Sequence, residues 1–373
     1  MEASGGVEIE AGGLESVVER SLGANPVTLT EWSVEQIFAG DGQGLGVFRL
    51  TGSAQVGEQQ CDWSVILKVL PDDRAAQLTA WSLPLREPLA YDSGLLEGLP
   101  EALGAPRCLG YDQRGGRNQL WLEDLGRDDA QWGLGDYARA ARQLGRFNGA
   151  YLRERRVPSA KWLSRDWLRA WLAEGAAAID ELPDHVDHPL VRRVYPADLR
   201  ADLAHLWASR ESLLAALDRL PQVLCHHDAF RRNLFLRPGR LLAVDWAFLG
   251  VGPLGAELAP LVCASATFLG VDRTQWNDLE LTAVAAYREG VVDAGWDGAD
   301  EELRLGFAAS SALRYWPGVV RLLLPTLLDE AAHRRAEAVL GIPFDEIVDL
   351  WADFAAWQAR LAAEALEAVQ QLP

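Results

Sequence analysis

The sequence predicts an α+β chain of two unequal parts, a region of antiparallel strands followed by a larger, mainly helical region. Three observations predict it. From Val27 to about Leu70 the residues are β-branched and aromatic with glycine-rich turns between them, the composition of strands. From Gly135 to the C-terminus apolar residues recur mostly at helical spacing. The chain has 373 residues, more than one hydrophobic core usually organises, so two parts around a cleft are expected.

Residues 14–22 read as a short helix ahead of the strands. Helical stretches are expected at 73–82 and at 88–96, where Pro88 suits a first turn because no intrahelical N–H bond is lost there. Residues 107–111 and 119–122 read as strands separated by the turn residues 112–118. The first part, 1–122, ends there, and the linker-like segment 126–135 opens the second, 126–373. Its clearest helices are 137–151, 166–179, 198–217 and 347–372. Between Pro221 and Phe248 the apolar pieces 223–225, 234–236 and 241–244 are too short for helices, so small strands are expected.

The longest apolar stretches, 254–269 and 319–328, are interrupted by Glu257, Pro260, Arg321 and Pro325, so neither reads as a membrane span. The N-terminus carries acids where a secretory signal carries bases, which predicts a cytoplasmic protein. Cys61, Cys108, Cys225 and Cys263 are scattered without paired spacing and read as buried, reduced thiols. Fifty-four acids against 35 bases give a net charge of −19. That charge repels nucleic acid and anionic lipid; it either attracts cationic substrates or simply keeps the protein soluble.

Chemistry concentrates in His226-His227-Asp228-Ala229-Phe230-Arg231-Arg232-Asn233, with Asp245 directly after the last small strand. Phosphoryl transfer from ATP needs magnesium held by carboxylate and amide oxygens, and an aspartate aligned on the acceptor hydroxyl. The spacing puts an acid and an amide on one loop. Together with Val244-Asp245-Trp246, and with Gly252-Pro253 before Glu257-Leu258-Ala259, this arrangement resembles the catalytic loop and metal-binding aspartate of the aminoglycoside phosphotransferase and choline kinase family, relatives of the protein kinases.

The resemblance implies a bilobal protein-kinase-like fold, with ATP and Mg2+ as cofactors. It implies that Asp228 is the catalytic aspartate, that Asn233 and Asp245 bind magnesium, and that His226 braces the loop. His227 reads as part of a hydrogen-bonded pair at a strand end. Arg231 and Arg232 either neutralise phosphate charge or face solvent, and Glu257 reads as a helix-anchoring ion-pair residue.

On the nucleotide side, Gly40, Gly42 and Gly44 form a turn whose backbone N–H groups can approach phosphates, although the spacing fits neither the kinase glycine loop nor the P-loop. Lys68 sits in the apolar run Trp63-Ser64-Val65-Ile66-Leu67-Lys68-Val69-Leu70, where its ammonium needs a partner. It matches the family's phosphate-holding lysine, and Glu87 matches its glutamate partner. Glu87 also reads as an N-terminal helix acid, and Glu97 and Glu101 compete for the lysine. The segment 120–125 resembles the hinge at about 121–125, with Glu123 and Leu125 offering main-chain groups to adenine; a solvated strand end explains its acids equally well.

The 15 tryptophans read mainly as core, with Trp132, Trp276 or Trp316 as candidates for a wall against an acceptor. Asp272, Asp278, Glu280, Asp329 and Glu330 are either amine-binding acids or solvated helix faces. The expected activity is transfer of the γ-phosphoryl of ATP to a hydroxyl of a small molecule, with an aminoglycoside-like or other cationic acceptor, a sugar and an amino alcohol all open. A non-catalytic nucleotide-binding module is the alternative. Protein kinase activity is disfavoured because no activation segment stands between Asp245 and Glu257. No nucleic-acid or membrane partner is expected.

Overall fold

The computed structural model describes residues 11–39, 46–71, 83–114, 117–128 and 130–371. The helix expected at 73–82 and the glycines Gly40, Gly42 and Gly44 lie outside the described residues. After α1 (Ala11–Leu22) come β1 (Thr28–Ala39), β2 (Gly46–Val56) and β3 (Gln59–Pro71). Then follow α2 (Arg86–Asp92), the two-residue β4 (Leu103–Gly104), β5 (Cys108–Arg114) and β6 (Arg117–Glu123). The five long strands form one antiparallel sheet in the order β1-β2-β3-β6-β5.

Side chains alternate across a strand, and in β3 that alternation decides where Lys68 goes. Trp63, Val65, Leu67 and Val69 pack with Leu14, Val17 and Val18 of α1 and with Phe48 and Leu50 of β2 in one buried cluster. Ile66 packs instead against the main core, which holds Ala90 and Tyr91 of α2 and Leu120 and Leu122 of β6. Lys68 shares the parity of Ile66, so its side chain leaves the sheet on the face toward α2.

The remainder is mostly helical: α3 (Leu134–Arg153), α4 (Trp167–Glu181), α5 (Pro189–Val194), α6 (Ala197–Ala208) and α7 (Arg210–Arg219) precede the small strands. These are β7 (Gln222–Cys225), β8 (Leu234–Arg237), β9 (Arg240–Ala243) and β10 (Gly250–Pro253). The short α8 (Ser265–Thr267), α9 (Trp276–Asp293), α10 (Asp300–Tyr315), α11 (Pro317–Leu328), α12 (Glu330–Leu340) and α13 (Phe344–Gln370) complete the chain. β8 and β9 form an antiparallel hairpin, β10 pairs with β7, and β9 pairs in parallel with β4. That last pairing ties the helical region to the strand region. Helices α3 and α9 approach so closely that a Cβ on Gly290 would stand 2.0 Å from the Arg142 carbonyl oxygen.

The α+β class and the antiparallel N-terminal sheet are as the sequence predicts, and three local readings need correction. The helix expected at 198–217 is two helices broken at Ser209, whose N–H bonds back to His205 and Leu206 while its ψ of 0° turns the chain. The helix expected from Pro88 starts at Arg86 and ends at Asp92, just before Gly94 at φ 72°. Cys61 and Cys108 are only half-buried, whereas Cys225 and Cys263 are buried, and all four are free. No helix among the described residues is long and apolar enough to cross a membrane.

Candidate active site

The loop after β7 is fixed from several sides. The buried His226 receives the Asp228 N–H on Nδ1 at 3.1 Å, and its Nε2 lies 3.0 Å from the Val244 carbonyl oxygen. Burial lowers its pKa to about 4, so the neutral ring donates through Nε2 and spans from this loop to the segment that carries Asp245. Glu257 is fully buried and accepts the His226 N–H at 2.6 Å and the His227 N–H at 3.1 Å. Burial pushes its carboxyl up to about 7. The expected ion pair is therefore a pair of backbone hydrogen bonds.

His227 is not paired with His226. Its ring stacks on Trp167 at 5.3 Å and 11°, and its backbone is left-handed at φ 64°. Gly252 makes room for it, since a Cβ there would lie 2.7 Å from the imidazole Cε1. Burial, and then the nearby Arg314, lower the His227 pKa to about 3.

Asn233 closes the loop, its Nδ2 donating to the Asp228 carbonyl at 3.0 Å and to the carboxylate Oδ2 at 2.9 Å. The other carboxylate oxygen, Oδ1, accepts from Arg314 Nη2 at 3.1 Å. About a fifth of the Asp228 side chain, 21%, is open to water. Burial raises its pKa to about 6, against the opposing pull of Arg314.

Lys68 reaches this region from the sheet. Its Nζ lies 2.5 Å from Glu87 Oε2 and 2.9 Å from Asp245 Oδ1. Burial alone would lower its pKa, but Asp245 and Glu87 outweigh burial and raise it. Asp245 has a left-handed backbone at φ 65° and keeps 48% of its side chain open to the cleft. Burial of its surroundings opposes ionisation, yet the Lys68 ammonium holds its pKa below the usual value. The structure thus pairs Lys68 with Glu87 and not with Glu97 or Glu101, which line a separate groove with Arg20, Arg107 and Arg240.

In the segment 121–125, the Glu123 N–H is committed to the Arg107 carbonyl at 2.9 Å, and the Leu125 carbonyl accepts from Arg237 at 2.7 Å. Asp124 is no solvated strand end. It accepts from Arg49 Nε at 2.7 Å and from Ser64. Arg231 pairs with Asp128 at 3.1 Å and lies over Trp132, while Arg232 is exposed and rests on Phe268.

Of the acceptor-wall candidates, Trp276 and Trp316 are buried in the core. Trp132, also buried, lines a cavity of about 400 Å³ with Arg231, Arg232 and Phe235. Glu280 is no helix-face acid: it is buried and paired with Arg304 and Arg360. Asp272 and Asp329 cap helical turns.

What sequence reasoning missed is Arg314 on α10. Its signal was present, since it is the one charged residue in the buried segment 305–316.

The family model described as the phosphotransferase enzyme family matches residues 74–301, more than half of the chain. The chain belongs to this family. Among solved structures, this phosphotransferase is similar to a spectinomycin phosphotransferase in complex with ADP and spectinomycin, at TM-score 0.53 and 14% identity over 94% of this chain and 100% of that one. It is similar to an aminoglycoside phosphotransferase from Alicyclobacillus acidocaldarius, at TM-score 0.52 and 12% identity over 95% and 96% of the two chains. An amicoumacin kinase solved with AMP-PNP and Ca2+ gives TM-score 0.50 and 14% identity over 84% and 88%. At such identities the likeness is one of fold. No curated protein sequence matches the chain.

Proposed function

We propose that this phosphotransferase moves the γ-phosphoryl of ATP, with magnesium, to a hydroxyl of a small molecule. The observation that carries the reading is the contact of Lys68 with both Glu87 and Asp245, beside a loop whose carboxylate is held in place. Lys68 holds phosphate oxygens, and Glu87 keeps its ammonium in position. Asp228 aligns the acceptor hydroxyl and takes its proton as the bond to phosphorus forms. The Leu125 carbonyl is occupied by Arg237, so at the hinge the Leu125 N–H is the group this residue offers adenine.

The donor set fits a hard divalent cation. Asn233 spends its amide nitrogen on Asp228, which leaves its oxygen, and Asp245 presents a carboxylate open to the cleft; oxygen donors of this kind suit magnesium. Bound there, the ion supplies charge neutralisation on the phosphates.

Of the acids named for amine recognition, Glu280 is paired with Arg304, and Asp272 and Asp329 cap helical turns. The acceptor is proposed as a hydroxyl-bearing small molecule, cationic or neutral. A panel of aminoglycosides, other antibiotics, sugars and amino alcohols, read by magnesium-dependent ADP release, tests the reading. Turnover on one acceptor class, abolished by Asp228→Asn, is the expected result. ATP binding without turnover across the panel favours a nucleotide-binding module instead.

A further inference from the structure

Helix α10 is buried from Leu305 to its end at Tyr315, and Arg314 is the only charged residue in that stretch. An ion pair buried in this way does not by itself stabilise a fold, because apolar residues of similar volume serve as well or better. The position of this guanidinium suggests what it is kept for. Nη1 donates to the His227 carbonyl and Nη2 to Asp228 Oδ1 at 3.1 Å, so one planar fork grips the backbone and the carboxylate of adjacent residues. The guanidinium lies 4.4 Å from the Trp167 ring centroid and 5.0 Å from that of Tyr315. Trp171 Nε1 holds the Arg314 carbonyl at 3.1 Å.

Resting on the kinase reading, we propose that Arg314 is a positioning residue for phosphoryl transfer, which locks the Asp228 carboxylate against the loop from the side opposite Asn233. A carboxylate has two acceptor sites on each oxygen. Arg314 takes one on Oδ1 and Asn233 one on Oδ2, so two remain for an acceptor hydroxyl while rotation of the group is blocked. The residue lies C-terminal to every motif of the sequence and acts through Asp228 without touching nucleotide. Lysine cannot replace it, because a point-charge ammonium does not reproduce the two-pronged grip.

The experiment compares wild type, Arg314→Ala and Arg314→Lys for ADP release, using the best acceptor of the panel, or water as acceptor if the panel yields none. AMP-PNP affinity and thermal midpoint are measured on the same samples. We expect kcat to fall about 100-fold in Arg314→Ala, the scale of a misplacement near 1 Å at a reacting group, with KM for ATP and AMP-PNP affinity little changed. Added guanidinium ion should restore part of the activity of Arg314→Ala, and in an Asp228→Asn background the same substitution should add no further loss. Variants that fold, bind AMP-PNP and keep wild-type kcat overturn the proposal. So does a loss that merely tracks lost folded protein and is not rescued. If Arg314→Ala does not fold, Arg314→Lys decides, by a fall in kcat of about tenfold or more at unchanged AMP-PNP affinity or by wild-type kcat. Wild-type protein that releases no ADP with any acceptor or water sinks the kinase reading, and this inference with it.

Discussion

Two buried cations stand on the two sides of the site, Lys68 from the sheet and Arg314 from the helical region, and their surroundings differ in charge balance. Lys68 lies between two carboxylates, one enclosed and one open to the cleft. Arg314 faces a single carboxylate and a carbonyl, with aromatic rings over its face. Under the proposed function, the sheet side, with two carboxylates around one cation, suits a divalent cation with its phosphates, whereas the helical side sets one carboxylate against one cation. On that reading an excess of carboxylates suits a metal cofactor, and a carboxylate held at both oxygens suits aligning a hydroxyl.

The comparison is broken most directly at the carboxylates. Asp228→Asn should lower kcat by about 10³-fold with nucleotide affinity kept, the range of a lost general base, measured by ADP release and AMP-PNP titration. Lys68→Met should lower kcat/KM for ATP by about 10²-fold and, unlike Asp228→Asn, weaken nucleotide binding; equal effects of the two on affinity would erase the distinction between the sides. Glu87→Gln, which leaves Lys68 its cleft partner, should cost roughly tenfold in the same assay.

The pH profile sharpens the same contrast. Asp228 accepts a proton only when ionised, and its pKa is raised to about 6. Activity should thus fall about tenfold per pH unit below that value and level off above it. A plateau continuing down to pH 4 would show that the Asp228 carboxylate does not take the proton. The smallest effect on chemistry should come from Glu257→Ala. It leaves the N–H groups of His226 and His227 without acceptors, at about 3 kcal/mol of stability, seen as a lower thermal midpoint with KM for ATP unchanged.

How much of this was legible follows the separation of the partners in sequence. Asp228 and Asn233 are close in the chain, and their spacing alone places them on one turn. The alternation of β3 put Lys68 opposite its buried neighbours, and Glu87 lies only 19 positions away from it. Arg314 stands 86 positions from Asp228, and Arg49 stands 75 positions from Asp124. Local pattern carries no information about such pairings, because helices and strands bring them together only after the cores form. The break at Ser209 was hidden for a different reason: apolar periodicity runs through it on both sides, and a single ψ value redirects the chain.

Among the described residues, three without the freedom of glycine have positive φ, and two of them are His227 and Asp245. Left-handed backbone costs most residues about 1–2 kcal/mol, while asparagine tolerates it. The choice of control substitution at these positions is therefore itself an experimental variable. Asp245→Ala confounds lost charge with a penalty on chain conformation, whereas Asp245→Asn removes the charge and retains the bend. A disagreement between the two variants would measure how much of the site's architecture is stored in that one torsion.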